Sequence, residues 1–364
     1  MNDPVHINPG KLTNFGEQAG CTFSVLTTPE LESHIQINET NSAYSDYLVV
    51  TASSPDEAHQ CIAEKIPDRS HILVVMPSVY FKSPGPEVLG PKKKLGVLAC
   101  FSTPTDTAQL NHFLRQAENT DAASQARFAE FFFEVGQNSE YLELINDEYG
   151  TRAVFNHLDD SLMWHEQVGP LDWGEQQLLP SGEISVLPVD VFGQDITHAL
   201  DVSGTIAIRG LPILHAGSVS FKRTDQSRIY DQLSTVYNGA IRLECDHGYV
   251  TAIDALDDQA RDAARYFNML REIDSRYGVI LEMGFGCNFT HELVFSNSAM
   301  NEVHGNPTGV LHLGFGLLPF TQYHLDIICP GIRLKSPLGQ ELLGPNAQLK
   351  HLYEDSGLQA RVHA

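Results

Sequence analysis

Residues 47–76 read Tyr47-Leu-Val-Val-Thr-Ala52, then Ser53-Ser-Pro-Asp56, then a helical stretch from about Glu57 to Lys65, then His71-Ile-Leu-Val-Val-Met76. The two largely apolar runs are too short for buried helices and suit strands covered on both faces. Between them, Ser-Ser-Pro-Asp supplies a helix cap, an early proline and acids in the first turn. Leu95 to Phe101 (LGVLACF) is a third such strand, and helical patterns follow at Asp106 to Glu118 and Ala122 to Gly136. Strands alternating with helices predict an α/β region with a mostly parallel sheet. No Gly-rich phosphate loop follows these strands, so a nucleotide site has no local support. Lys92-Lys93-Lys94 reads as a solvated loop.

The pattern changes near Asp159. Residues 160–182 form a loop-like stretch with both tryptophans, and short β-like runs follow at Glu183–Val189, Gly204–Ile208, Ser218–Lys222, Ala240–Glu244 and Tyr249–Ile253. One amphipathic helix, about Asp257 to Tyr277, interrupts them. The predicted organisation is an α/β domain over residues 1–165 and a β-rich α+β domain over residues 166–364 that carries the chemistry.

The chain has 364 residues with 23 basic and 46 acidic side chains, a formal net charge of −23. That length gives one or two domains as the natural expectation. Such acidity argues against nucleic acid, whose partners concentrate positive charge on a binding face. No stretch approaches the ~20 apolar residues needed to span a bilayer, and the first residues lack a signal-peptide pattern. The six cysteines (Cys21, Cys61, Cys100, Cys245, Cys287 and Cys329) form no CxxC pair, so they read as free, mostly buried thiols. A cytoplasmic protein acting on a small molecule, without nucleic acid or membrane partners, is expected.

Two segments of the second half echo each other: Leu281-Glu282-Met-Gly-Phe-Gly286 and Leu311-His312-Leu-Gly-Phe-Gly316. Each places a metal-competent side chain inside an apolar strand, where it is costly to bury without a partner. The glycines are expected to let the backbone turn and keep the side chain accessible. In the run Tyr323-His324-Leu-Asp326, His324 and Asp326 sit at i and i+2 and project from one face of a strand. With His312 they make two histidines and one carboxylate, the ligand set of a mononuclear iron(II) site with open positions. His157-Leu158-Asp159 repeats the HxD pattern without an echoing partner and reads as structural. Glu183 opens a further strand after Leu179-Pro-Ser-Gly, and His291, Glu292, Glu302 and His304 fall in the loop between the two echoes.

Taken in order, Pro180-Ser-Gly-Glu183, Glu282-Met-Gly-Phe-Gly-Cys-Asn288, Gly309-Val-Leu-His312-Leu-Gly-Phe-Gly316 and His324-Leu-Asp326 resemble the motifs of the metal-dependent aminopeptidase T family and of the related 2,5-dihydroxypyridine 5,6-dioxygenases. The resemblance covers roughly residues 170–340. The peptidase branch implies two metals held by Glu183, Glu282, His312, His324 and Asp326, and the family implies a homodimer. Two departures stand against that branch. The glutamate expected shortly before His312 is missing from Gly305-Asn-Pro-Thr-Gly309, leaving Glu302 as a substitute only if the loop shifts. The stretch from His312 to His324 is also short. The dioxygenase branch needs only His312, His324 and Asp326.

The leading expectation is therefore a mononuclear non-heme iron(II) oxygenase that opens a small hydroxylated aromatic or heteroaromatic ring with O₂. Glu183 or Glu282 would serve as base or ligand-orienting group, and His291 and Tyr323 would contact substrate. Zinc, manganese and cobalt also suit histidine and carboxylate ligands. The alternatives are an aminopeptidase-like metallohydrolase with one or two divalent ions, and a degenerate relative that binds a peptide or small molecule.

Overall fold

The computed structural model describes residues 3–191, 198–216, 222–317 and 321–347. They belong to two units. The first contains the chain up to Ala123, with Gln167–Gly182 and Ser298–Met300. The second contains Ser124–Glu166, Glu183–Asn297 and the chain from Asn301 onward.

The first unit is built on a five-stranded parallel sheet in the order Asp46–Thr51, Thr22–Thr27, Ser70–Val75, Lys93–Leu98, Gln176–Leu179. Every residue of Ser70–Val75 and Lys93–Leu98 is buried, as strands covered on both faces require. The helix Pro55–Gln60 starts where the sequence predicts: the Ser54 side chain accepts from the Glu57 amide, and Pro55 occupies the first turn. The apolar side of this helix packs Ala58, Cys61 and Ile62 against Leu26, Ile72, Val74 and Leu95.

The lysine run corrects its reading as a solvated loop. Lys93 and Lys94 lie in a central strand and are buried. Lys93 Nζ donates to the Ile62 carbonyl at 2.5 Å, and Lys94 Nζ donates to the carbonyls of Phe15 at 2.9 Å and Leu171 at 2.5 Å. Long aliphatic stems let the ammonium groups reach these acceptors from within the sheet.

The second unit holds two antiparallel arrays. A seven-stranded sheet runs Tyr249–Ala255, Ile241–Asp246, Val202–Ile208, Thr151–Phe155, Leu142–Asn146, Arg333–Lys335, Glu341–Leu343. A six-stranded sheet runs Leu211–Ala216, Tyr323–Pro330, Val310–Phe315, Ile280–Gly286, Glu183–Pro188, Leu162–Gln167. The protein is thus a mixed α/β chain with a five-stranded parallel sheet, a short parallel pair of Val5–Ile7 with Ile35–Ile37, and a β-rich second part.

A single cut near residue 165 does not describe this division. The helix Ala122–Gln137 falls almost wholly in the second unit, as do the strands Leu142–Asn146 and Thr151–Phe155, because these strands pair with Val202–Ile208 and Arg333–Lys335. Gln176–Leu179 returns to the first unit by pairing with Lys93–Leu98. Strand partners far away in sequence decide membership, and composition does not register them. The long helix expected over 257–277 is shorter, Arg261–Ile273, flanked by single turns at Asp258–Ala260 and Ser275–Gly278. The run Ser218–Lys222 lies outside the described residues except for Lys222.

All six cysteines are free and buried. Among the described residues, no helix is long and apolar enough to cross a membrane.

Candidate metal centre

Strand register on the six-stranded sheet decides which side chains meet. Gly284 sits opposite His312, Glu282 opposite Gly314, Gly314 opposite Asp326, and His324 opposite His215. Glu183 opens the neighbouring strand, paired with Gly286. With a period of two, Glu183, Glu282, His312, His324, Asp326 and His215 all project from one face. Phe285 and Phe315 project from the other, where they pack against Phe132 and Phe267 with ring centroids at 5.1 Å and 4.8 Å. Each Gly-Phe-Gly segment thus anchors its strand on the helix-covered face while the opposite face carries the polar groups.

Gly316 has the left-handed backbone of a turning glycine, as expected, while the other three glycines serve a different purpose. Gly284, Gly286 and Gly314 need no left-handed backbone, and what they supply is volume. A Cβ on Gly284 would lie 1.9 Å from His312 Cε1. On Gly314 it would lie 2.6 Å from Glu282 Cβ and 2.8 Å from His324 Cε1. On Gly286 it would meet the His304 carbonyl oxygen at 1.9 Å. Missing side chains in the sheet face make room for the imidazoles of the neighbouring strands.

The side chains form a connected series. His312 Nε2 is 3.3 Å from Glu183 Oε1. His324 Nε2 lies 3.1 Å from Glu282 Oε2 and 3.0 Å from Asp326 Oδ1. His215 Nε2 lies 3.2 Å from Asp326 Oδ2 and contacts Glu302 Oε1. Three groups result, each with one imidazole and two carboxylates close enough to hold an ion: Glu183, Glu282 and His312; Glu282, His324 and Asp326; His215, Glu302 and Asp326. Glu282 and Asp326 are each shared by two groups. All five metal and acid–base residues expected from sequence are on this face. His312, however, groups with Glu183 and Glu282 rather than with His324 and Asp326.

Crowding explains the protonation pattern. Burial, reinforced by the carboxylates of Glu302, Glu282 and Asp326, pushes Glu183 well above the ordinary carboxyl range. Burial opposes charge on His324 and His215 as well, yet adjacent carboxylates overcome it. His324 rises well above its usual value, and His215 rises to about 9 through Glu302 and Asp326. Burial also works against the Asp326 carboxylate, but His324, His215 and His312 hold it far below the usual range. His324 Nδ1 donates to the Gly316 carbonyl at 2.6 Å, which fixes the ring and aims Nε2 at the carboxylates.

This donor set fits a divalent cation. Four carboxylates converge on one face, and burial with the neighbouring charges favours the protonated form of Glu183, a cost a bound cation would relieve. His312 Nδ1 is buried without a hydrogen-bond partner, a further donor atom a ligand would satisfy.

One of the two expected substrate contacts, Tyr323, lies off this face. Tyr323 precedes His324, so its side chain points to the opposite face, where its hydroxyl donates to the Lys222 carbonyl at 3.5 Å. His291 is buried beside His304, whose Nδ1 donates to the His291 carbonyl at 2.8 Å, with the rings 5.8 Å apart. Two residues of the cluster stand outside the expected metal and acid–base set: His215, which no motif marks, and Glu302, offered from sequence only as a substitute ligand. His215 ends the apolar run Leu211–Ala216, the same signal of a polar group in an apolar strand, but no Gly-Phe-Gly follows it. Glu302 arrives from the turn Ala299–Val303, and a turn carries no periodicity that marks it.

No family model matches the chain, and no curated protein matches it. Among solved structures the chain is similar to 2,5-dihydroxypyridine dioxygenase from Pseudomonas putida KT2440. The TM-score is 0.51 at 13% identity, over 90% of this chain and 91% of that chain. The likeness extends across nearly the whole length and concerns the fold.

Proposed function

We propose that the chain is a metal-dependent oxygenase that uses iron(II) to open a small hydroxylated aromatic or heteroaromatic ring with O₂. The observation that carries this reading is the buried face on which His312, His324 and Asp326 meet Glu183 and Glu282, in a fold shared with a dioxygenase. His324, Asp326 and Glu282 would hold the ion, with His312 on the adjoining strand. Bound iron(II) would supply a Lewis-acidic centre with open positions for a ring hydroxyl and O₂.

The chain's own residues supply the rest. Glu183, with its raised affinity for a proton, is a proton carrier able to accept one from a substrate hydroxyl once a cation offsets the neighbouring carboxylates. The Gly316 carbonyl holds the His324 ring, and His215 holds Asp326 and Glu302 in place. Burial of Glu183, His312 and Asp326 keeps bulk water from competing for this face.

A second reading has its own support. The groups Glu183–Glu282–His312 and His215–Glu302–Asp326 share no residue, so both could be filled at once, as a two-metal hydrolase needs. Elemental analysis of protein purified without oxygen or chelator separates the two. About one iron per chain, with oxygen uptake on dihydroxylated aromatic substrates, supports the oxygenase. About two zinc, manganese or cobalt ions with peptide hydrolysis and no oxygen uptake would replace it with the hydrolase.

A further inference from the structure

On the far side of the six-stranded sheet, the second unit carries a half-open pocket of about 400 Å³ lined by Phe132, Phe133, Gly136, His157, Trp164 and Glu166, among others. It takes in His157 and Leu158 of the second HxD run and one of the two tryptophans. Trp164 and Glu166 are two apart on the strand Leu162–Gln167, so they reach the cavity from the same face. Phe132 and Phe133 come from the helix Ala122–Gln137. The three rings meet steeply: Phe132 and Phe133 at 5.6 Å and 84°, Phe133 and Trp164 at 5.7 Å and 82°, Phe132 and Trp164 at 5.9 Å and 64°. They form an aromatic corner. Trp164 also stacks on Phe285 at 6.3 Å, on the sheet face opposite His312, so the cavity is separate from the metal centre.

Two further features distinguish this space from a packing defect. Gly136 lies in the last turn of a helix, where glycine costs about 1 kcal/mol against alanine. Nothing lies within 4 Å of where its Cβ would be, so no neighbour requires the side chain to be missing. His157 is 5% exposed, and its Nε2–H donates to the Gly136 carbonyl at 3.0 Å. In the neutral ring Nδ1 is then an acceptor, and it is buried with no hydrogen-bond partner. Glu166, at the exposed rim, is the one lining side chain with a formal charge at neutral pH among those described, and partial desolvation there raises its pKa.

We propose that this cavity is a binding site for a small organic ammonium with an aromatic body, the cation held by Glu166 and the face of Trp164. Aromatic walls with one carboxylate are the chemistry that recognises such cations. The volume falls within the range of ligand pockets, roughly 300–1,000 Å³. A chain of charge −23 draws cations toward its surface.

The test titrates the intact chain with phenethylammonium and follows tryptophan fluorescence in a Trp173→Phe background, so that Trp164 alone reports. Saturable binding is expected, and 2-phenylethanol, the neutral isostere, should bind at least about tenfold more weakly. Glu166→Gln, at an exposed position, should weaken the ammonium about tenfold while leaving metal uptake unchanged. Gly136→Leu should fill the cavity and remove binding. Equal affinity for the alcohol and the ammonium would overturn the proposal, leaving a plain apolar hole. Undiminished binding to Gly136→Leu would place the ligand elsewhere, and no saturation up to about 10 mM would also overturn it. None of these outcomes depends on the identity of the metal or on the oxygenase reading.

Discussion

His71 in the first unit and His215 in the second are both imidazoles largely removed from water, yet their proton affinities move in opposite directions. His71 is stacked on Phe15 at 5.2 Å, and its Nδ1 lies 2.7 Å from the Tyr44 hydroxyl. Burial, with the Lys94 cation adding to it, lowers its pKa to about 4. For His215, burial is overcome by Glu302 and Asp326, and the value rises to about 9. The same contrast holds for the other buried charges. Lys93 and Lys94 are matched to neutral backbone carbonyls one chain segment at a time. Glu183, Glu282, Glu302 and Asp326 of the second unit gather instead with one another and three imidazoles, so their charges converge on a single face. Burial with separate neutral partners is what a stable interior needs. Burial with convergent charge leaves room for a ligand to complete the balance.

The largest effect should come from Asp326→Asn, which removes a carboxylate shared by two of the three groups. Metal affinity should fall by more than about 100-fold, read by calorimetric titration with iron(II) or manganese(II). Unchanged affinity would end the comparison, since Asp326 would then be an ordinary buried acid. Next comes acid sensitivity of the first unit. Because the folded pKa of His71 lies below its unfolded value of 6.5, the unfolded chain takes up the proton first as pH falls. The associated stability is fully present above about pH 6.5 and is lost as pH falls towards 4, to the extent of about 3 kcal/mol. Urea unfolding followed by Trp173, whose ring lies 5.3 Å from His71, reads this loss, and His71→Phe should flatten it. The smallest effect is that of Lys94→Met. It should move the His71 pKa upward without restoring 6.5, because burial is the larger cause, and leave metal uptake unaltered. NMR titration of the His71 ring checks it.

The first unit's strands and its helix starts were legible because apolar runs and caps are local. The polar face of the six-stranded sheet was legible for a related reason. A glutamate or histidine within an apolar strand pays a desolvation cost that the strand's own sequence displays, and this marked Glu282, His312, His324 and Asp326. His215 shows the same signal, a polar residue in the apolar run Leu211–Ala216, but without a following Gly-Phe-Gly. Tyr323 was misplaced by neglect of the alternation that correctly paired His324 with Asp326. The lysine run was misread because a cluster of charges says nothing about which carbonyls lie above it.

By itself the sequence determined the alternation of strands and helices in the first half, the β-rich second half, and which strands bury acids and imidazoles. These properties depend on residues within a few positions of one another. Only the tertiary structure decided that Gly284 and Gly314 clear space for His312 and His324, that Glu302 and His215 join the cluster, and that residues 124–166 belong with the second unit. Those outcomes follow from register between strands separated by many residues, as in the pairing of His215 with His324. Register is fixed by the collective burial of whole faces, and a one-residue slip would turn every one of these side chains away from the others.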